Sequence, residues 1–234
     1  MDLRGNSVTW VGHGTWLWET SEGKRILVDG FVESCPTTPD ELKDPGPLDG
    51  MLLTHGHIDH IADAVGIIKG KDPEVIASYD MLPWLAFREI NEKAQGLGVG
   101  GSAEVAGVRV TQVHALHGNI IEDDDYTGPS GPAVGFVLEF PDGLRVYQSG
   151  DTDVFTDMTL IKELLEPHVA VLSIGDYFTM GPKGAAKAAH LLGVEGVLGG
   201  HWGTFPPLVG RPSELDALTH EGIEVPDLSP GDRF

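Results

Sequence analysis

Residues 54–60, Thr-His-Gly-His-Ile-Asp-His, constrain this chain more than any other stretch. Three imidazoles and a carboxylate fall within six positions, directly after the apolar run Met51-Leu52-Leu53. That run predicts a short buried strand, and Ile61, Ala62, Ala64, Val65 and Ile68 follow at helical spacing. The cluster thus lies on a tight strand-to-helix connection, where several side chains can aim at one point and Gly56 relieves backbone crowding. A merely His-rich surface loop would have no reason to cap a buried strand. Neutral imidazole and carboxylate are the ligands that Zn²⁺ and similar first-row ions accept, so the stretch reads as a metal site. It is too dense for one ion. His55 and His57, alternating along the chain, can face one metal while Asp59 and His60 face another. Four ligands from one loop cannot close a tetrahedron around a single ion without strain, so the rest must come from elsewhere.

Other strand ends offer them. Val8 to Val11 and Thr15 to Glu19 read as strands joined through Gly12-His13-Gly14, and Ile26-Leu27-Val28 ends at Asp29-Gly30. His13, between glycines, is either a group that approaches a ligand or a polar turn residue. Asp29 can orient a metal-binding imidazole as a hydrogen-bond acceptor. Residues 35–50 form a surface loop rich in Pro, Asp and Gly, and Asp80 can cap a helix running toward Ala94. The strand Val108 to Val113 delivers His114 and His117; His117, at the loop's start, is the better ligand, and His114 packs or supports it. The acidic run Glu122-Asp123-Asp124-Asp125 reads as a solvated face. The hairpin of Val134 to Phe140 with Leu144 to Gln148 presents Asp151, placed to bridge two metals, with Asp153 adding charge beside it. Strand Val169 to Ile174 leads through Asp176 to a helix N-terminus that favours anions. Strand Val197 to Gly200 then delivers His201, followed closely by Thr204. Asp176 and Thr204 are substrate or supporting candidates, while His168, His190 and His220 fall where no partner is evident.

The pattern His-x-His-x-Asp-His after a strand, followed in order by His117, Asp151 and His201, resembles the metallo-β-lactamase superfamily over most of the chain. The stretches 150–152, 174–182 and 201–206 are similar to a prokaryotic branch of metal-dependent hydrolases, itself similar to the ascorbate-phosphate lactonase group. The resemblance implies a four-layer αββα sandwich of α/β (α+β) class over residues 1–234 as one domain, with the site at one sheet edge. It also implies that His55, His57 and His117 hold one metal, that Asp59, His60 and His201 hold the other, and that Asp151 lies between them. The two divalent ions would be Zn²⁺ first, with Mn²⁺ or Fe²⁺ as alternatives. Trp202 stands where a smaller or hydroxylated aromatic is common. His57 separates the chain from diiron flavoprotein relatives, which carry glutamate there, and no helical extension of the glyoxalase II kind follows.

Composition bounds the function. The 234 residues can bury a sizeable core, and 32 glycines suit a loop-rich α/β protein. No run approaches the roughly 20 apolar residues of a membrane span, and the first residues lack the apolar centre of a secretory signal. The single cysteine, Cys35, fits a reducing cytoplasm, where the chain is expected. A net charge of −21 without any basic stripe opposes nucleic-acid binding, and it would suit a saline cytoplasm. The expectation is a hydrolase of a small ester, lactone or phosphodiester that uses a hydroxide held by two metals, with Asp59 orienting it. A non-catalytic metal-binding or regulatory domain is the alternative, and a nuclease is disfavoured by charge. The partner is a small molecule; homo-oligomerisation is left open.

Overall fold

In the computed structural model, which describes residues 1–123 and 125–234, alternation along each strand decides the layering. The first sheet runs β1 (Ser7–Gly12), β2 (Thr15–Glu19), β3 (Arg25–Val28), β4 (Gly50–Leu52), β5 (Glu74–Ser78) and β6 (Ala94–Leu97) in that spatial order. Ile26, Val28, Leu52 and Ile76 point to one face, and Leu27, Met51, Leu53, Val75 and Ala77 to the other. Both faces are buried, which explains why β3, β4 and β5 read as continuous apolar runs. The outer face is covered by α1 (Ile58–Ile61), α2 (Ala64–Lys71) and α3 (Leu82–Phe87), whose Ile61, Ile67, Trp84 and Leu85 complete that apolar layer.

The second sheet is built the same way. Its strands are β7 (Ser102–Val105), β8 (Val108–His114), β11 (Val134–Glu139), β12 (Arg145–Gln148), β13 (Val169–Ser173) and β14 (Gly196–Gly200), in the spatial order β14-β13-β12-β11-β8-β7. Val110, Phe136, Val146 and Val171 face the first sheet, while Val137, Tyr147, Ala170 and Val197 face α4 (Met158–Leu165), α5 (Pro182–Leu192) and α6 (Pro212–Leu218). Three buried apolar layers separate four layers of secondary structure, so the αββα sandwich is present. Trp10, Trp16 and Trp18 fill the inter-sheet layer, and Trp18 lies 5.4 Å from Phe140 across it. A small ribbon of β9 (Ile120–Asp123) and β10 (Tyr126–Pro129) stands beside the first sheet. In both sheets antiparallel hairpins give way to parallel pairs, β3 with β4 and β12 through β14. Ligands in such sheets bind beyond the carboxyl ends of the parallel strands, and the residues after β3, β4, β12 and β14 lie there.

Several expectations are corrected. The helix expected from Asp80 toward Ala94 ends at Phe87, because Glu89 takes a left-handed φ of 62° and residues 94–97 instead pair with β5. The helix after the His-rich loop is broken, because Asp63 turns its carboxylate to the backbone amides of Val32 and Ser34. Residues 35–50 are not wholly superficial, since Cys35 is fully buried. The acidic run is not simply solvated: Asp123 accepts from Trp84 Nε1, and Arg88 reaches both Asp123 and Asp125 at 2.6 Å. Asp124, part of that reading, lies outside the described residues. His168 has partners, accepting from Arg145 N at 3.0 Å, and the His190 and His220 rings meet edge-on with centroids 5.0 Å apart.

Candidate metal centre

The centre is assembled from six chain segments, and a buried carboxylate organises it. Asp29, just past β3, accepts from the backbone N and the Oγ1 of Thr54, both at 2.8 Å. The hydroxyl hydrogen of Thr54 is thereby engaged, so in its 3.0 Å contact with His55 Nδ1 the imidazole donates. His60 Nδ1 also donates to Asp29, at 2.7 Å. One carboxylate therefore orients both rings, His60 directly and His55 through Thr54, and turns each Nε2 inward. Asp29 itself sits at a left-handed φ of 62°, a conformation that Asp tolerates better than most residues.

Two main groups of candidate ligand atoms result, joined by a third set of His55, His60 and Asp151. His55 Nε2 and His117 Nε2 lie 3.0 Å and 3.2 Å from His57 Nδ1. A proton on His57 Nδ1 could serve only one of these neighbours, whereas a cation between the three rings would satisfy all of them. In the other group, ligand atoms of His13, Asp59, His60 and His201 lie within 4.8 Å of one another. Asp151 stands between, its oxygens 3.4 Å from His60 Nε2, 3.0 Å from His201 Nε2 and 3.7 Å from His117 Nε2. His60 Nε2 and His201 Nε2 are buried, and apart from their charged contact with Asp151 they meet no group in hydrogen-bond geometry among the described residues. Buried polar atoms seldom lack a partner, and here a metal ion would be that partner. The residues fit the ions that the sequence implies.

Electrostatics point the same way. Burial drives the pKa of His55 well below its ordinary value and lowers those of His57 and His117, so these rings are neutral and ready to ligate. Burial opposes charge on His60 as well, yet Asp151 and Asp29 on either side hold its pKa well above normal. In the metal-free protein that ring carries the cation which the two carboxylates require. Burial works against ionisation of Asp151 too, but His201 and His60 keep its pKa well below the carboxylate range.

His13 belongs to the site. Burial lowers its pKa to about 4, so at neutral pH its Nε2–H donates to Asp59 Oδ2 at 3.0 Å. Its ring lies 3.8 Å from that of His201, and its carbonyl accepts from His201 N. Asp59 is opposed by burial but held well below normal pKa by the His13 hydrogen bond and by the charge of His60. Of the other candidates, Thr204 is buried with its hydroxyl unpartnered among the described residues, while Asp176 is exposed and its carboxylate accepts from the Tyr177 amide. His114 is exposed, with its ring edge-on to Phe155.

The supporting residues Thr54, Asn119 and Ser173 were not anticipated. Asn119 Oδ1 accepts from Gly56 N at 2.8 Å, and Ser173 Oγ donates to Asp151 Oδ1 at 3.1 Å. Their signal was weak, since each is an ordinary polar residue whose partner is remote in sequence. The centre opens into a cleft of about 380 Å³ whose walls include Asp59, His117, Glu122 and Phe178.

Residues 24–202 match the model of the beta-lactamase superfamily domain. A protein of Koribacter versatilis named a UPF0173 metal-dependent hydrolase is 42% identical over 234 residues, covering 100% of both chains. One of the same name from Rubrobacter xylanophilus is 42% identical over 99% of this chain and 97% of its own. Among solved structures, Igni18 of Ignicoccus hospitalis, described as a metallo hydrolase, superposes with a TM-score of 0.82 at 28% identity, covering 98% of this chain and 97% of its own.

Proposed function

Since this chain belongs to the beta-lactamase superfamily, and within it to the UPF0173 metal-dependent hydrolases, we propose that it hydrolyses a small-molecule ester, lactone or phosphodiester at a dinuclear metal centre. His55, His57 and His117 would hold one divalent cation, and Asp59, His60 and His201 the other, with Asp151 shared. The observation that carries the reading is the position of Asp151 between the two ligand groups, 3.4 Å from His60, 3.7 Å from His117 and 3.0 Å from His201, beside an open cleft. A structural site would close its shell instead.

When bound, the two cations would supply water acidified to near neutral pH and electrophilic stabilisation of the substrate oxygen. The chain's own residues do the rest. Asp59, ionised and anchored through one oxygen by His13, can orient the attacking water with the other and pass its proton to the leaving group. His13 stays neutral and fixes the carboxylate's angle. Neither candidate side-chain nucleophile is available, because Cys35 is fully buried and Ser149 Oγ, also buried, donates to the Gly150 carbonyl.

The test is single-turnover hydrolysis in ¹⁸O-labelled water. Label should enter the product on the first cycle, and activity should vanish with a chelator and return with Zn²⁺ or Mn²⁺. Cys35→Ala and Ser149→Ala should remain active. A trapped covalent intermediate, or full activity without metal, would overturn the mechanism.

A further inference from the structure

The cleft's own walls say more about the substrate than its metal ligands do. Ile58, Ile120 and Phe178 form its apolar side, and Glu122 is its remaining acidic wall; no lysine or arginine lines it among the described residues. Ile58 and Phe178 are 55% and 54% exposed, and Tyr177, set against Phe178 with ring centroids 4.7 Å apart, is 72% exposed. These aromatics are held in place rather than loosely displayed. Asp176 and Tyr177 both take left-handed φ angles, 67° and 62°, which are strained for a bulky residue such as Tyr. The loop is tied back by Asp176 N to Met180 O and by Met180 N to Thr152 O, next to Asp151. Strained backbone that presents Phe178 to the cleft, with Tyr177 set edge-on against it, is the arrangement of an apolar binding wall.

Charge completes the argument. Away from the candidate ligands the cleft offers an anionic group only the carboxylate of Glu122 and, among the described residues, no lysine or arginine to pair with. The rest of the molecule, at −21, repels such a group. We propose that the cleft takes an uncharged carboxylic ester or lactone whose acyl or alkyl part packs on Phe178, Ile58 and Ile120, in preference to phosphodiesters and other anions. This rests on the hydrolase reading and narrows it. In the reaction, water oxygen bonds to the acyl carbon, the acyl–oxygen bond breaks, and the alcohol leaves with a proton, giving acid and alcohol.

The experiment compares metal-loaded enzyme on 4-nitrophenyl acetate, butyrate and hexanoate and on bis(4-nitrophenyl) phosphate. Binding of 2-butanone and 2-octanone, uncharged and not hydrolysable, is followed in parallel by NMR. The expected result is a gain of about tenfold in kcat/KM from acetate to hexanoate, what one methylene gains at the low end in an enclosed pocket and a modest return for four on an open wall, with the phosphodiester below all three esters. Phe178→Ala should flatten the chain-length dependence mainly through KM, with metal content unchanged. Glu122→Lys should raise the phosphodiester relative to the esters. A phosphodiester turned over faster than the esters, or no chain-length dependence, would overturn this proposal while leaving a hydrolase. If none of these is turned over, hydrolysis of simple esters and phosphodiesters falls; octanone then binding more tightly than butanone, with the difference lost in Phe178→Ala, would still support the apolar wall, and equal binding would overturn it.

Discussion

Asp29 shows how much one side chain can decide without touching a substrate. Its carboxylate accepts from His60 Nδ1 and Thr54 Oγ1, and Thr54 in turn accepts from His55. Asp29→Asn keeps the shape but removes the charge and places donors where acceptors stood. It should weaken metal binding by roughly 10–100-fold, measured by competition with a chromophoric chelator; an unchanged affinity would remove Asp29 from this role. The imidazoles also set a pH dependence in the metal-free protein. His13, at about 4, and His55, His57 and His117, all lowered by burial, bind fewer protons folded than unfolded. Stability should therefore fall as pH drops from about 6.5, the ordinary histidine value, toward 4. His60, raised, is protonated in both states across that window and adds no slope there; its contribution is lost only as pH rises through its own raised value. Melting temperatures across pH 7 to 4 check this, and a flat or rising profile on acidification would contradict it.

Among the elements, the loops between strand and helix matter more than the strands. Gly175 passes so close to β14's exit that a Cβ there would meet the His201 carbonyl at 2.0 Å. Gly175→Ala must displace His201 and should cost about 1–3 kcal/mol of stability together with metal affinity. Gly66, exposed within α2 with nothing within 4 Å of an added Cβ, is the contrast. Gly66→Ala should stabilise by about 0.5–1 kcal/mol, and denaturant titration of both variants distinguishes the two sites. Most elements were legible in the sequence because β3, β4, β5 and β13 are apolar on both faces and sit between turn residues. β6 was not, since Ala94-Gln95-Gly96-Leu97 has little strand character and gains its conformation from pairing with β5. The ribbon of β9 and β10 hid behind an acidic run whose partner, Arg88, lies across the fold.

For the whole molecule, the charge of −21 is self-repulsive and screened by salt. The melting temperature should rise with KCl, and no DNA or RNA should bind at moderate salt; tight, salt-sensitive binding would contradict the charge argument. No helix among the described residues is long and apolar enough to cross a membrane. The candidate ligands were legible in sequence because they follow strand ends and stand next to glycine or another candidate ligand, as in 54–60, 149–151 and 199–201. The part played by His13 was only half legible. Its turn brings it against His201 and Asp59 from the far end of the chain, and no local pattern encodes that meeting. The central claim is that two ligand groups share Asp151, and it is tested most directly by the number of divalent ions bound per chain at saturation. Elemental analysis after equilibration with Zn²⁺ or Mn²⁺ and removal of free metal should approach two ions per chain. A reproducible value of one with either metal would contradict it.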